Sequence, residues 1–177
     1  PLAWLLQFVA RKLRKKHMAV AEKLGVPIVV IGNIAVGGTG KTPVIIALAK
    51  ALAAKGHAPG IVSRGYGGSA QSYPLLLTNT TPVADSGDEP ALILRALSMP
   101  VCVAPDRVAA AKILIGKGCD VILSDDGLQH YKLARDLEIV VVDSVRQFGN
   151  NRTLPAGPLR EPSTRLDETD CVISNGP

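Results

Sequence analysis

A glycine-rich run separates a strand-like apolar segment from a stretch whose apolar residues have helical spacing. The run is Gly-Gly-Thr-Gly-Lys-Thr-Pro at 37–43, the strand-like segment covers 27–31 and the helical stretch 44–52. In this order, the backbone N–H groups of the loop converge on phosphate oxygens at the positive end of the helix. We therefore expect an α/β fold that binds the phosphates of a nucleoside triphosphate.

The predicted phosphate loop covers residues 35–42. Lys41 would reach the terminal phosphates in a catalytic role, and the Thr42 hydroxyl would ligate magnesium. The usual pattern has a glycine five residues before Gly40, where this chain has Ala35. We treat Ala35 as tolerated, because the first loop position requires a small residue more than a left-handed backbone. The predicted nucleotide-binding residues are Ala35, Val36, Gly37, Gly38, Thr39, Gly40, Lys41 and Thr42.

Short strand-like runs alternate with helical patterns after residue 25, which is typical of a parallel sheet covered on both faces. We predict a P-loop NTPase-like α/β fold with three layers and a mainly parallel sheet. A long Gly- and Pro-rich segment at 147–165 is predicted to be a functional loop. The predicted strands are 27–32, 60–63, 75–77, 101–104, 121–124, 138–143 and 171–174, and the predicted helices are 43–55, 89–97 and 106–115, with Asp106 as N-cap of the last.

Residues 1–24 are predicted to contain an amphipathic helix that precedes a core at 25–177. A basic cluster follows the apolar face, so this helix suits a membrane interface with anionic lipids. The apolar run is too short to span a bilayer. The alternative is an amphipathic helix packed on its own domain. The apolar face consists of Leu2, Leu5, Leu6, Val9 and Leu13, widened by Trp4 and Phe8, and the cluster of Arg11, Lys12, Arg14, Lys15 and Lys16.

Composition favours one domain and gives little support for nucleic-acid binding. The chain has 177 residues, of which 47% are apolar and 20% charged. The basic cluster accounts for the net charge of +5, and aromatics make up only 3%. Cys102, Cys119 and Cys171 are expected to be buried, reduced thiols of a cytoplasmic protein. No signal peptide is recognisable, and the ends of the sequence suggest a fragment.

Several polar residues follow predicted strands or begin predicted helices. Asp125 and Asp126 end an apolar strand, as the magnesium-binding aspartate of phosphate-loop enzymes does, and Asp143 is the competitor. His130 could meet a phosphate, a sugar or a carboxylate, or could simply be hydrogen-bonded. The acidic residues at 88–89 open a predicted helix, where they could also serve as caps. Arg64 could face an anionic substrate.

A set of unrelated motifs in this order resembles the tetraacyldisaccharide 4′-kinases, the lipid A 4′-kinases of Gram-negative bacteria. The resemblance covers essentially the whole chain. The motifs are Val-Pro-Ile-Val-Val-Ile-Gly-Asn at 26–33, Gly-Gly-Thr-Gly-Lys-Thr-Pro at 37–43, Ser-Arg-Gly-Tyr-Gly-Gly at 63–68, Gly-Asp-Glu-Pro at 87–90, Asp-Arg at 106–107, Ser-Asp-Asp-Gly-Leu-Gln-His at 124–130 and Leu-Pro-Ala-Gly-Pro-Leu-Arg-Glu-Pro at 154–162.

The resemblance implies phosphorylation, by ATP and Mg²⁺, of the 4′-hydroxyl of a tetraacylated glucosamine disaccharide 1-phosphate to give lipid IVA. It implies peripheral attachment to the cytoplasmic face of the bacterial inner membrane, and no protein partner is predicted. Asp88 corresponds to the base that accepts the hydroxyl proton. The resemblance places Glu89, Asp125 and Asp126 around magnesium and His130 near the phosphates.

The resemblance also implies a smaller second domain whose histidine partners the catalytic aspartate. Because this chain ends before such a domain, we expect the fragment to bind ATP and to turn over poorly or not at all.

Two other interpretations compete with a lipid kinase. One is a GTP-hydrolysing metallochaperone or switch protein. Guanine readers usually carry Asn-Lys-x-Asp after a late strand, whereas this chain has Asn-Gly-Pro at 175–177, which disfavours GTP. The other is a non-catalytic, nucleotide-gated membrane module, in which the long loop and the paired acidic motifs would have no role.

Overall fold

The computed structural model describes residues 2–176, with the side chains of residues 2–7, 10 and 11 outside the description. The helices are α1 Leu2–Ala19, α2 Lys41–Ala54, α3 Val83–Ser86, α4 Asp88–Leu97 and α5 Arg107–Gly116, with a 3₁₀ helix at Ser163–Glu168. The strands are β1 Ile28–Gly32, β2 Pro59–Ser63, β3 Leu75–Leu76, β4 Val101–Val103, β5 Val121–Asp125, β6 Leu137–Asp143 and β7 Cys171–Asn175. All seven predicted strands and all three predicted core helices are present.

The strands form one sheet in the order β3-β4-β2-β5-β1-β6-β7. Every adjacent pair is parallel except β3 with β4, so the predicted mainly parallel sheet is confirmed. Ile31 of β1 is in register with Asp125 of β5. The loop that leaves β1 therefore starts beside the carboxylates of Asp125 and Asp126 at the carboxyl end of β5, where ligands collect in open α/β folds.

Side chains alternate between the two faces of the sheet and build two separate cores. On one face, Ile28 and Val30 of β1 belong to a cluster with Leu114 of α5. On the other face, Ile31 packs in a cluster with Ile45 of α2 and with α4 residues. The two helical layers on opposite faces of the sheet confirm the predicted three-layer architecture.

Local signals set the ends of several elements. The Asp106 side chain accepts hydrogen bonds from the backbone N–H groups of Val108 and Ala109, which confirms the predicted N-cap of α5. Helix α2 begins at Lys41, two residues before its predicted start. Neither α3 nor the 3₁₀ helix was predicted, because each is too short to show a period of apolar residues.

The prediction that all three cysteines are buried is wrong for one of them. Cys102 and Cys119 are buried, whereas Cys171 is exposed. Cys171 begins β7, which lies at the edge of the sheet, so an apolar run did not imply burial there.

Helix α1 contacts the core through Arg14. The Arg14 Nη2 atom lies 2.6 Å from Glu168 Oε2, and its guanidinium lies 5.4 Å from the centre of the Tyr131 ring. Phe8 and Leu13 of the predicted apolar face are 54% and 48% exposed, and the side chains of its other leucines and of Trp4 lie outside the described residues. Within residues 2–176, no helix combines the length and hydropathy required to cross a bilayer.

Candidate active site

The loop between β1 and α2 has the backbone of a phosphate-binding loop. Gly37 and Gly40 have positive φ values of 104° and 77°, which glycine adopts without strain. Ala35 does not; it forms an antiparallel bridge with Leu159 of the 147–165 loop. The first loop position is extended backbone, so alanine fits there without strain.

A lysine and an arginine enclose the carboxylate of Asp126. Lys41, buried at the start of α2, places Nζ 3.4 Å from Asp126 Oδ1. Arg160 of the 147–165 loop places Nη1 3.1 Å from Asp126 Oδ2. Burial alone would raise the pKa of Asp126, but the charges of Lys41 and Arg160 outweigh it and hold the pKa below its usual range. Asp126 is therefore ionised at neutral pH and aligned with Lys41.

Asp125 has the opposite electrostatic character. It is 1% exposed, and its Oδ2 atom accepts a hydrogen bond of 3.0 Å from the Ser63 hydroxyl. The buried Oδ1 atom has no hydrogen-bond partner among the described residues. Burial and, second, the charge of Glu89 raise the pKa of Asp125 to about 6. An unpaired buried carboxylate oxygen is costly for the fold, which suggests a ligand-binding role.

A cavity of about 160 Å³ is lined by these carboxylates and by residues of β2 and the loop after it, of α4 and of the 147–165 loop. It brings together four of the predicted site residues, Arg64, Glu89, Asp125 and Asp126. Its full lining is Ser63, Arg64, Tyr66, Glu89, Asp125, Asp126 and Arg160.

Glycines hold the 64–68 loop against the segment that precedes α4. A Cβ atom on Gly68 would lie 2.4 Å from the Asp85 carbonyl oxygen, and one on Gly87 would lie 2.4 Å from that of Tyr66. This close packing sets Arg64 and Tyr66 beside the first turn of α4. Asp88 is exposed at the first position of that helix, adjacent to the cavity-lining Glu89.

His130 lies near the charged start of α5 and does not line the cavity. Its Nε2 atom is buried without a hydrogen-bond partner among the described residues. Burial and the neighbouring charge of Arg107 lower the pKa of His130 to about 4, so the imidazole is neutral at physiological pH. The contact with phosphate stays a prediction.

Asp143 is engaged elsewhere. Its carboxylate accepts hydrogen bonds from the backbone N–H groups of Val145 and Arg146 and from the Arg146 side chain, which lower its pKa. Asp143 does not line the cavity that Asp125 and Asp126 share. The arrangement favours the Asp125–Asp126 pair for a nucleotide-bound metal.

The donor set suits a magnesium ion that arrives with a nucleotide. Among the described side chains, no three His, Cys, Asp or Glu residues are grouped so that they alone could hold a metal. Magnesium usually takes one or two carboxylates and completes its shell with water and substrate phosphates. The unpaired Oδ1 of Asp125, near enough to Lys41 at the start of α2 to feel its charge, fits that requirement. Thr42 directly follows Lys41, and the contact of its hydroxyl with magnesium stays a prediction.

Sequence reasoning assigned no role to two arginines of the site. Arg160 contacts Asp126, and its loop position relative to the cavity depends on the pairing of residues 158–160 with the phosphate loop. Arg107 is buried and donates a hydrogen bond to the Ala104 carbonyl at 2.8 Å. Burial lowers the pKa of its guanidinium, and the nearby charge of Asp125 partly offsets this effect. Arg107 could have been singled out from the sequence, because it belongs to one of the motifs that carry the family resemblance. Its closeness to Asp125, however, is evident only from the fold.

A carboxylate network supports the loop that carries Arg160. Glu161 accepts hydrogen bonds from Gln129 Nε2 at 2.6 Å and from the Tyr131 hydroxyl at 2.9 Å. The network ties the 147–165 loop to the segment after Asp126. Residues 126–131 and 158–161 are therefore held as one unit beside the cavity.

A phosphate loop after β1, a carboxylate pair after β5 and cations around the cavity define the nucleotide-binding core of a P-loop phosphotransferase. Comparison with known proteins narrows this class. The chain belongs to the tetraacyldisaccharide-1-P 4′-kinase (LpxK) family, whose family model matches residues 1–177.

Two relatives from this family are about half identical to the chain. A tetraacyldisaccharide 4′-kinase of Colwellia psychrerythraea is 51% identical over 99% of this chain and 51% of its own length. One of Alkalilimnicola ehrlichii is 54% identical over 99% of this chain and 54% of its own length. The chain spans about half the length of these relatives.

A solved structure has the same fold. The LpxK of Aquifex aeolicus, crystallised in complex with ATP, superimposes with a TM-score of 0.85 at 32% sequence identity. The match covers 97% of this chain and 56% of the Aquifex chain. The predicted family and fold are confirmed, and they do not favour the GTPase or the non-catalytic membrane module.

The raised pKa of Asp125 predicts that Asp125→Asn stabilises the protein at pH 8 in EDTA, by about 2 kcal/mol. The pKa of Asp125 is about 6 in the folded protein and 3.8 for an unperturbed aspartate, so the ionised carboxylate destabilises the fold above pH 6. The difference from wild type should shrink as the pH falls from 6 towards 4. Thermal unfolding of both proteins across this range checks it.

Asp126→Asn is the matched control, because the pKa of Asp126 is lowered and its ionised form stabilises the fold at neutral pH. This variant should unfold at a lower temperature than wild type at pH 8. Equal shifts for the two variants would contradict the assignment of opposite electrostatic environments.

Proposed function

We propose that the full-length protein transfers the γ-phosphate of ATP to the 4′-hydroxyl of a tetraacyldisaccharide 1-phosphate, giving lipid IVA. The observation that carries the proposal is the cavity lined by the Asp125–Asp126 pair and by Glu89 of α4, together with the contact of Lys41 with Asp126. Family membership supports this acceptor, and the ATP complex of the Aquifex relative supports the donor.

Each side chain in the site has a task in such a transfer. Lys41 and the loop amides bind the terminal phosphates, and the positive end of α2 favours their charge. Arg160 and Arg64 supply further positive charge at the cavity where negative charge is transferred. Phosphoryl transfer depends mainly on positioning and charge neutralisation, which this arrangement provides.

Asp88 is proposed as the general base. The acceptor hydroxyl gives its proton to the Asp88 carboxylate as its oxygen bonds to the γ-phosphorus, and the bond from that phosphorus to the β,γ-bridging oxygen breaks to release ADP. Its exposed position at the start of α4, next to the cavity, lets a large lipid headgroup reach it. The histidine that the resemblance places in a second domain stays a prediction.

Magnesium would be held by Asp125 and the Thr42 hydroxyl, with Asp126 and Glu89 nearby. When bound, it neutralises charge on the β- and γ-phosphates. The paired cations keep Asp126 ionised, and Ser63 orients Asp125 so that its free oxygen is available.

The decisive experiment supplies the full-length protein with radiolabelled γ-phosphate ATP, Mg²⁺ and tetraacyldisaccharide 1-phosphate in detergent micelles. The proposal expects label in a lipid whose mass has increased by one phosphate, on the 4′ position. Matched incubations omit the acceptor or replace ATP with GTP. Hydrolysis to free phosphate with no labelled lipid would reject the kinase assignment.

We also propose that residues 1–24 attach the protein peripherally to the cytoplasmic face of the bacterial inner membrane. Phe8, Val9 and Leu13 are exposed on α1, as expected for a helix whose apolar face enters a lipid interface. The basic residues that follow them would meet anionic headgroups. These exposed side chains favour this role over a helix packed fully on its own domain.

Liposome flotation checks the membrane proposal. Val9→Ser combined with Leu13→Ser should reduce the bound fraction severalfold on anionic vesicles, because both apolar side chains would leave the interface. Arg14 is kept, since it holds α1 to the core. Val172→Ser, which changes an exposed apolar residue on β7, is the control and should bind as wild type does. Unchanged flotation of the double variant would reject the proposal.

A further inference from the structure

Three consecutive carbonyl groups of the phosphate loop each accept a hydrogen bond from a side chain. Asn33 Nδ2 donates to the Gly37 carbonyl at 3.1 Å. The Arg146 guanidinium donates to the carbonyl of Gly38. Asn175 Nδ2 donates to the carbonyl of Thr39 at 3.2 Å. We refer to these three side chains as the carbonyl anchors.

The orientation of a carbonyl fixes the orientation of the next amide. Each peptide unit is planar and trans, so its C=O and N–H point in opposite directions. A side chain that holds the carbonyls of residues 37–39 to one side of the loop therefore turns the N–H groups of residues 38–40 to the other side. Those N–H groups are the ones that cradle phosphate oxygens in such a loop.

The anchors come from three different strand ends, so the sheet itself sets the loop. Asn33 follows β1 directly, is 1% exposed and also donates to the Thr39 hydroxyl at 3.2 Å. Arg146 follows β6 and is held by Asp143 at 3.1 and 3.2 Å. Asn175 is the last residue of β7. The loop is anchored from its own strand, β1, and from the next two strands along the sheet, β6 and β7.

Gly40 is shaped to accept the third anchor. A Cβ atom on Gly40 would lie 1.9 Å from Asn175 Nδ2, so the amide occupies the space that glycine leaves open. Glycine therefore suits this position for two reasons. It adopts the positive φ of 77° without strain, and it leaves room for the approach of Asn175. The same contact gives Asn175, at the end of β7, a structural role beside the phosphate loop.

We propose that Asn33, Arg146 and Asn175 are positioning residues that direct the phosphate-loop amides and thereby set the affinity for Mg-ATP. This inference rests on the proposed function, because it takes ATP as the ligand of the loop. It assigns a role to the Asp143–Arg146 pair, which lies outside the cavity and contributes no metal ligand in the proposed function.

The test measures Mg-ATP binding to the full-length protein by calorimetry. Arg146→Ala and Asn175→Ala should each weaken binding about fivefold, since each frees one loop carbonyl to turn inward. Arg146→Lys keeps one donor for Gly38 and should stay within about twofold of wild type. Arg95→Ala and Asn79→Ala are matched controls, because both residues are exposed and distant in sequence from the loop and its anchors.

A second measurement separates positioning from general stability. KM for ATP should rise with each anchor variant, while KM for the lipid acceptor stays unchanged at a temperature where the variant is fully folded. Arg146 and Asn175 are not buried, so their alanine variants keep the test independent of the fully buried Asn33. Lower unfolding temperatures with unchanged ATP affinity would overturn the inference.

The outcomes for wild type and variants are distinguishable. If wild type binds Mg-ATP and both alanine variants bind it equally well, the positioning inference fails and the proposed function stands. If wild type does not bind Mg-ATP, the proposed function fails and the inference fails with it. Weakened binding by Arg146→Ala and Asn175→Ala, with near wild-type binding by Arg146→Lys, supports it.

Discussion

Replacing Asp88 with alanine is expected to lower kcat of the full-length protein about a thousandfold, while the Kd for Mg-ATP stays within about twofold of wild type. A general base acts on the acceptor proton during transfer and makes no contribution to holding the nucleotide. Asp88 lies at the exposed start of α4, outside the phosphate loop, so its loss leaves the loop intact. Steady-state kinetics with both substrates and calorimetry with Mg-ATP measure the two quantities.

Asp85→Ala is the matched control for this prediction. Asp85 is an acidic residue three positions earlier, in the short helix α3 instead of at the start of α4. This variant should keep kcat within about twofold, since proton transfer needs a carboxylate at the reacting hydroxyl. Normal turnover by Asp88→Ala, or an equal loss in both variants, would reject Asp88 as the base.

Replacing Lys41 with alanine should weaken Mg-ATP binding on the order of a hundredfold and lower kcat by at least as much. In the proposed function, the lysine neutralises phosphate charge both in the bound nucleotide and as transfer proceeds, so affinity and rate should both depend on it. Lys41 is also one of the two cations that lower the pKa of Asp126, which should rise in the variant. Calorimetry and single-turnover kinetics measure the two effects.

Lys50→Ala controls for the loss of a positive charge from the same helix. Lys50 is exposed on α2, about 13 Å along the helix axis from Lys41 by the usual rise per residue. The control should bind and turn over as wild type does. If Lys41→Ala bound Mg-ATP as tightly as Lys50→Ala, the phosphate loop would have no part in nucleotide binding.

The strands and core helices could be predicted because their signals are local. Apolar runs bounded by glycine and proline located all seven strands, and the Asp106 cap located the start of α5. The direction of a strand and its position in the sheet could not be predicted, because both depend on which strands pair. The antiparallel direction of β3 and the exposure of Cys171 are both of this kind.

Site residues could be predicted where a single sequence motif contains them, but not where residues far apart in the sequence come together. Lys41 was identified from the phosphate-loop motif, and Asp125 and Asp126 from the end of one strand. Arg160 is 34 residues from Asp126 in the sequence, and its contact arises only when the 147–165 loop pairs with the phosphate loop. Asn175 likewise reaches the loop only because β7 ends beside it.

The contact of Arg14 with Tyr131 has a bearing on how shortened versions of the protein should be interpreted. The Tyr131 hydroxyl donates a hydrogen bond to Glu161, which also accepts one from Gln129. Because Arg14 packs on Tyr131, the N-terminal helix supports the backbone segment that carries Arg160. Deletion of residues 1–16 would remove this contact together with any membrane attachment. A drop in catalysis after such trimming has two origins, and only point substitutions that spare Arg14 can tell them apart.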